Sequence, residues 1–310
     1  MEKICYKQYT TEEFLNAVSY KGDIYSLLNG RYVFRGHFSE KWELIPSALR
    51  EGALDNVFYN DEHRITSSVR DKAPDWEALQ TIKEITILRN FYEKCDKYGL
   101  PIPEVKRFRQ SIFSAVSFEM LNAYEDWVSE DIYELAALAQ HYGLSTRLLD
   151  WSHSMLTALY FAVSGTRTLK DKEITPNIVI WALDTQVTDP AYHQGSPLKM
   201  IRPQYDGNPN LCAQKGLFTF WSVKKGTNPK TGKQNTDETI RKSLDQLISD
   251  YIEVDDKPLM YKITISKDKI SELYNYLKSQ HIEAATLFPG YYGIVRNITE
   301  NQYFNKMSKT

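Results

Sequence analysis

The chain has 310 residues, of which 42% are hydrophobic and 25% are charged, and its 38 Lys and Arg residues are balanced by 40 Asp and Glu residues. This is the composition of an ordinary globular protein, and a formal charge of −2 argues against a chain-wide affinity for nucleic acid or anionic membranes. The three scattered cysteines exclude a complete disulfide framework and predict reduced thiols in the cytoplasm.

Helices are expected to dominate the first half of the chain. Thr10 and Glu13 have the spacing of a capping box and predict a first helix, and a short β-like run at residues 31–36 follows it. Three longer helices are predicted next, over residues 75–98, 104–127 and 131–142. The first two rest on the spacing of apolar residues, and Gly99 and Gly143 end the first and the third.

Strands become frequent in the second half. The run 155–163 is apolar on every side, which predicts a helix through the centre of the protein. Strands are predicted over residues 177–183, 259–265 and 292–295, a helix over 267–280 and a surface loop over 224–233. This mixture predicts an α+β fold, with a helix-rich N-terminal half packed on a mixed β-sheet core. We expect one domain over residues 1–310, with a core at about 20–300 and a helical insertion at about 72–128.

The densest group of polar side chains lies at residues 140–152, and a loop is predicted from His141 to Ser152, just before the apolar helix. The N-terminus of that helix attracts anions, Arg147 can bind a phosphate through two donors, and His141 can carry a proton. Spacing alone favours a structural interpretation, in which Asp150 or Ser152 caps the helix, Arg147 pairs with Asp150, and His141 is a satisfied structural histidine.

Two further segments carry candidate groups. Arg35 ends the first predicted strand and precedes Gly36, so a ligand can approach the backbone closely and meet a guanidinium. Gln214 precedes a glycine turn at Gly216, a pattern typical of a strand with a bulge. Sequence motifs for a nucleophile elbow, a phosphate loop and a dinucleotide fold are absent, and the six histidines lack metal-ligand spacing, so no metal is expected.

Together these segments resemble the FRG domain family, which is named for its Phe-Arg-Gly motif. The matching segments are 34–36, 42–50, 140–151, 158–162, 214–219 and 287–289. The block at 140–151 is the most specific, because ten of its positions recur at the spacing of the family. Ser145 stands where the family often has proline, and Gly290 stands where it often has an acidic residue.

The resemblance implies a bacterial protein from a mobile-element or phage-defence setting. The order of parts is also similar to that of ADP-ribosyltransferases, in which an arginine anchors NAD and a late Glu or Gln lies by the reactive sugar bond. This similarity implies NAD as substrate and an ADP-ribosyltransferase-like fold. The implied residues are Arg35, Gly36, Thr146 and Arg147 for NAD binding, His141 and Gln214 (or Glu283) for catalysis, and Asp150 and Trp151 for support of the site.

Two function classes stay open. One is an NAD-consuming effector or toxin of the cytoplasm, either an ADP-ribosyltransferase with a protein or nucleic-acid target or an NAD glycohydrolase, with no membrane partner. The other is a non-catalytic module for a nucleotide or phosphorylated ligand, which the missing catalytic glutamate favours. Nucleic-acid binding through the basic residues at 106–109 and 224–233 is a third interpretation.

We also expect Arg35 and His141 to border one cleft, with the N-terminus of the apolar helix directed at the ligand.

Overall fold

The structure is a computed structural model that describes residues 2–28, 30–54, 76–110, 127–128, 130–168, 175–189, 192–193, 196–222, 242–253 and 257–308. The strands in these ranges are β1 (Ile4–Tyr9), β2 (Tyr32–His37), β3 (Leu149–Ser152), β4 (Asn177–Asp184), β5 (Leu198–Ile201), β6 (Gly216–Trp221) and β7 (Met260–Ser266). The α-helices are α1 (Thr11–Ala17), α2 (Trp76–Lys97), α3 (Lys106–Gln110), α4 (Tyr133–His141), α5 (Met155–Gly165), α6 (Pro209–Ala213), α7 (Leu244–Tyr251), α8 (Ile270–Ser279), α9 (Ala284–Leu287) and α10 (Tyr291–Met307).

The seven strands form one mixed sheet in the order β1-β7-β4-β2-β3-β6-β5. β1 and β7 are parallel, and all other neighbours in the sheet are antiparallel. β2 pairs with β4 along its whole length, but it pairs with β3 through Phe34 and Ser152 alone. The sheet is therefore continuous on one side of β2 and opens on the other side, toward β3.

Both faces of the sheet are covered, as the alternating side chains of β4 require. Ile178, Ile180 and Ala182 belong to a core that includes α1, α5, α8 and α10. The intervening side chains on β4 face a second core that includes α7. A third core joins α2 and α4 to β6 through Phe218 and Phe220.

Helix α5 lies in the first of these cores, as its apolar sequence predicts. Ser154 caps its N-terminus by accepting a hydrogen bond from the Thr157 amide. Gly36 on β2 packs directly on this helix, and a Cβ atom at residue 36 would lie 1.8 Å from the carbonyl oxygen of Ala158. Strand and helix thus approach more closely than any side chain at position 36 would allow.

The α+β class is confirmed, as are the predicted strands at 31–36, 177–183 and 259–265. The helices predicted at 75–98, 131–142 and 155–163 are confirmed as well. The strand predicted at 292–295 is wrong, because these residues lie in α10, where Ile294 and Val295 are exposed and their apolar character does not report burial. Residues 111–126, within the helix predicted at 104–127, and the predicted loop at 224–233 lie outside the described residues. The helical insertion stays a prediction.

None of the helices in the described ranges is both long and apolar enough to cross a membrane.

Gly36→Ala is expected to lower the free energy of unfolding by at least about 2 kcal/mol, because the new methyl group meets backbone atoms of α5 that cannot move aside. Denaturant unfolding measures the effect. Gly30→Ala is the matched control, since residue 30 has open space around it and a φ of 82°, and it should cost only about 1 kcal/mol of left-handed strain. Equal losses in the two variants would contradict the close packing of β2 on α5.

Candidate functional site

A cleft of about 420 Å³ lies where the sheet opens between β2 and β3, within the size range of small-molecule sites. Its described walls combine aromatic rings with a few polar groups. The aromatic residues are Phe34, Phe38, Trp42, Trp151, Phe161, Phe218 and Phe288. The polar residues are Arg35, His37, Gln140, His141, Asp150, Ser152, Ser164, Gln214 and Arg296.

Arg35 bridges the opening between the two strands. Its Nη1 donates to the carbonyl oxygen of Asp150 at 2.8 Å and to the Asp150 carboxylate at 3.1 Å. Its Nε donates to Nε2 of His37 at 3.0 Å. Nη2 has no partner among the described residues and is not buried, so it is available to a ligand in the cleft.

His37 fixes the orientation of the Arg35 guanidinium by accepting a hydrogen bond from its Nε. Its Nδ1 lies 3.2 Å from the carbonyl oxygen of Trp42, so this nitrogen carries the proton and Nε2 is left to accept from Arg35. Burial first, and then the neighbouring Arg35 charge, lower the pKa of His37 to about 3. His37 is therefore neutral at physiological pH and serves as a fixed acceptor.

Gln140, at the end of α4, supports the other side of the Arg35–Asp150 pair. Its amide nitrogen donates to both carboxylate oxygens of Asp150, at 3.2 and 3.3 Å, and its amide oxygen accepts from the Thr146 hydroxyl at 2.7 Å. Thr146 is buried and lies outside the walls of the cleft, so it acts on the site through Gln140.

His141 is half-buried in the cleft wall and has no hydrogen-bond partner among the described residues. Burial lowers its pKa, and the nearby Asp150 carboxylate opposes this shift. The imidazole is consequently neutral at pH 7 and free to accept a proton.

Gln214 lies between α6 and β6, in a turn where Lys215 has a φ of 49°. Its backbone carbonyl accepts from the Ser152 hydroxyl at 2.7 Å, which joins this turn to β3. Its amide nitrogen donates to the carbonyl oxygen of Leu287 at 3.1 Å. The amide oxygen of Gln214 has no partner among the described residues, so a ligand can meet it.

The structure brings together Arg35, Gly36, His141, Asp150, Trp151 and Gln214 of the residues implied by the sequence. Trp151 is buried and donates from its indole to Thr219 at 2.8 Å. Glu283 lies outside the cleft walls, at the start of α9, where its backbone N–H donates to the Thr286 hydroxyl and its carboxylate accepts from Asn297 at 3.0 Å.

Three sequence-based expectations about the block at 140–152 and the helix that follows it are wrong. Arg147 pairs with Glu84 of α2 at 3.0 Å, and both side chains are almost fully buried, so Asp150 pairs with Arg35 instead. The indole of Trp127 also donates to Glu84. In addition, the cleft is lined by the middle and end of α5, through Ala158, Phe161, Ser164 and Gly165, and its first turn is not part of the described wall. Residues 149–152 form β3 rather than a loop.

Sequence reasoning missed two further arginines near the cleft. The guanidinium of Arg50 lies 5.6 Å from the ring centre of Trp42, a cleft residue, and Arg296 of α10 lines the cleft itself. Arg50 stands within the segment that resembles the FRG family, which is a usable signal. Arg296 had no such signal, because it lies far along the chain, directly after the stretch 292–295 that is predicted to be a strand.

Among the described residues, no group of three or more His, Cys, Asp or Glu side chains is arranged to hold a metal ion.

Comparison with known proteins gives one match. The family model of the FRG domain matches residues 30–171, a range that contains β2, α4, β3 and α5. It therefore includes Arg35, His141 and Asp150 but not Gln214 or Arg296. No curated protein and no solved structure matches the chain.

Glu84→Ala is expected to lower the free energy of unfolding by roughly 3–5 kcal/mol, because it leaves Arg147 charged, buried and without its carboxylate. Urea titration measures the change. Asp96→Ala, which removes the carboxylate of the exposed pair with Arg109, should leave stability nearly unchanged. A mild effect of Glu84→Ala would show that Arg147 does not depend on this partner.

His37 should make the protein less stable as the pH falls from 6.5 toward 3. The unfolded chain takes up a proton on this residue near pH 6.5, whereas the folded chain does not until about pH 3. Relative to His37→Asn, the wild type should therefore lose up to about 1.4 kcal/mol of unfolding free energy per pH unit in this window. Denaturant titrations at several pH values test this, and parallel curves for the two proteins would refute it.

Proposed function

We propose that the cleft, whose wall includes Arg35, His141 and Asp150 from the range 30–171 that matches the FRG family model, binds and cleaves NAD, as an NAD glycohydrolase or an ADP-ribosyltransferase. The observation that carries the proposal is that Arg35, His141 and Gln214 border one cleft, although they come from distant parts of the chain. Their elements are neighbours, since β3 lies between β2 and β6 in the sheet. The same order of parts is the one by which the sequence resembles ADP-ribosyltransferases.

The Arg35 side of the cleft suits the diphosphate of NAD. Arg50 lies near Arg35. The pKa of Arg50 is lowered, first by burial and then by the positive charge of Arg35. Two guanidiniums and the single carboxylate of Asp150 leave a net positive charge at this end. Asp150 is 53% exposed, so it can turn toward solvent when a phosphate takes its place on Arg35.

In the proposed reaction, the bond between C1′ of the ribose and the nicotinamide nitrogen breaks, and nicotinamide leaves as a neutral molecule with the bonding electrons. The amide oxygen of Gln214 is directed toward the positive charge that develops on the sugar. Water, or a nucleophile of the target, then forms the new bond to C1′ and loses its proton. His141 accepts this proton, because burial keeps its imidazole neutral.

A non-catalytic nucleotide-binding module is the second candidate, and the acidic groups of the cleft favour it. Within the described walls Asp150 is the only carboxylate, and it already accepts from Arg35 and Gln140. The developing charge would then be met by an amide dipole, which stabilises it less than a carboxylate does. Such a module would bind NAD or a related nucleotide and release no nicotinamide.

The proposal also assigns the protein the role of an effector or toxin, with phage defence as the setting. This part is supported by the family resemblance alone. Depletion of NAD, or ADP-ribosylation of a protein or nucleic acid, would each suit such a role.

The purified protein is expected to release nicotinamide from NAD, and Arg35→Ala should reduce the rate by at least about 100-fold because charge-assisted hydrogen bonds to the diphosphate are lost. Chromatography of the products measures nicotinamide, and a labelled NAD added to cell lysate reports transfer to a target. The melting temperature of Arg35→Ala should change little, since the Asp150 left behind is half-exposed.

Arg109→Ala is the control, because Arg109 pairs with Asp96 at the surface, away from the cleft. Binding of NAD without release of nicotinamide would select the binding module. Unfolding of Arg35→Ala would give Arg35 a structural role instead.

A further inference from the structure

A second guanidinium lies at the end of the cleft that the C-terminal helix α10 forms. Arg296 lines the cleft together with Phe288, and both residues lie beyond the range that matches the FRG family model. The reaction described above gives neither of them a role.

Arg296 is held in a fixed position by the surrounding groups. Its Nε donates to Glu300 at 2.7 Å and its Nη2 to the Ser164 hydroxyl at 3.3 Å. Its guanidinium carbon lies 4.6 Å from the ring centre of Phe288, a distance typical of a cation–π contact. Nη1 has no partner among the described residues and is not buried. One donor is thus presented to the cleft in a rigid setting.

The charge of Arg296 is compensated in a way that the charge of Arg35 is not. Glu300 is fully buried, and both of its oxygens also accept from the Tyr160 hydroxyl at 3.0 Å. This carboxylate cannot turn away to solvent, as Asp150 can. The Arg296–Glu300 pair has no net charge, so this end of the cleft favours an uncharged hydrogen-bond acceptor over a phosphate.

The Arg296 end is also the end at which Gln214 lies. The amide nitrogen of Gln214 donates to the carbonyl oxygen of Leu287, the residue that precedes Phe288. In the proposed function Gln214 faces the sugar carbon from which nicotinamide departs. The leaving group must then lie between Gln214 and the Phe288–Arg296 wall.

We infer that Phe288 and Arg296 form the subsite for the nicotinamide ring, with Nη1 of Arg296 donating to the carboxamide oxygen. The inference depends on the proposed function for the identity of the ligand. The ring is planar and aromatic, which suits a wall of Phe161, Phe288 and a guanidinium, and its carboxamide oxygen is an uncharged acceptor.

The test compares two ligands that share the ADP part and a hydroxylated five-membered ring, and only one of them carries the nicotinamide ring. Isothermal titration calorimetry gives the Kd of a non-cleavable carbocyclic analogue of NAD and the Kd of ADP-ribose. The wild type should bind the analogue about tenfold more tightly. Arg296→Lys keeps a positive charge beside Glu300 but loses the planar donor, and it should abolish this preference while the Kd of ADP-ribose stays unchanged.

Arg31→Lys is the matched control, because Arg31 also pairs with a fully buried carboxylate, that of Asp184, but lies outside the cleft walls. It should keep the tenfold preference. If Arg296→Lys does not fold, the double variant Arg296→Gln with Glu300→Gln leaves no buried charge unpaired and should show the same loss.

Three outcomes would overturn the inference: no preference in the wild type, an unchanged preference in the variant, or an equal loss for both ligands, which would indicate a phosphate contact. These outcomes are independent of turnover. An Arg296-dependent preference without release of nicotinamide from NAD would reject the proposed reaction and leave the subsite in place.

Discussion

The contact of Gly36 with the backbone of α5 is the constraint on which the cleft depends. It holds β2 against the central helix, while the full pairing of β2 with β4 holds the strand from its other side. On its remaining edge β2 meets β3 through the single pair formed by Phe34 and Ser152, and the sheet opens beyond this pair. Arg35 stands next to Gly36, at the point where the opening begins, and this explains in physical terms why an arginine and a glycine are adjacent here.

Three arginine–carboxylate pairs of similar geometry have different consequences because their burial differs. Arg147 and Glu84 are both buried outside the cleft, so their pair ties α2 to the chain before β3 and has no access to a ligand. Arg296 is partly exposed, but the carboxylate of its partner Glu300 is fully buried. The pair therefore has no net charge, while Arg296 still offers a hydrogen-bond donor. The carboxylate that pairs with Arg35, that of Asp150, is exposed, so an anion can displace it. The residue types alone do not distinguish these cases.

The parts of the fold that the sequence predicted are those in which apolar pattern and burial coincide. In α5 and β4 nearly every side chain is buried, so the pattern reports the structure directly. In β3 the polar residues Asp150 and Ser152 line the cleft and break the apolar run, so the pattern predicts a loop there. The sequence also pairs Arg147 with Asp150, which is three residues away, whereas Glu84 is brought close only by the tertiary fold. Spacing alone favours structural roles for Arg35, His141 and Gln214. The family resemblance is what assigns these three residues to a ligand site.

The cleft is assembled from both ends of the chain, and this sets when it can first exist during synthesis. Arg35 leaves the ribosome early, but Phe288, Arg296 and the buried Glu300 follow more than two hundred residues later. The sheet is also finished late, since β1 pairs with β7. A nascent chain that has passed residue 171, where the match to the FRG family model ends, still has an unfinished cleft. If the mature protein consumes NAD, the cell that makes it is exposed to this activity only after translation has reached α10.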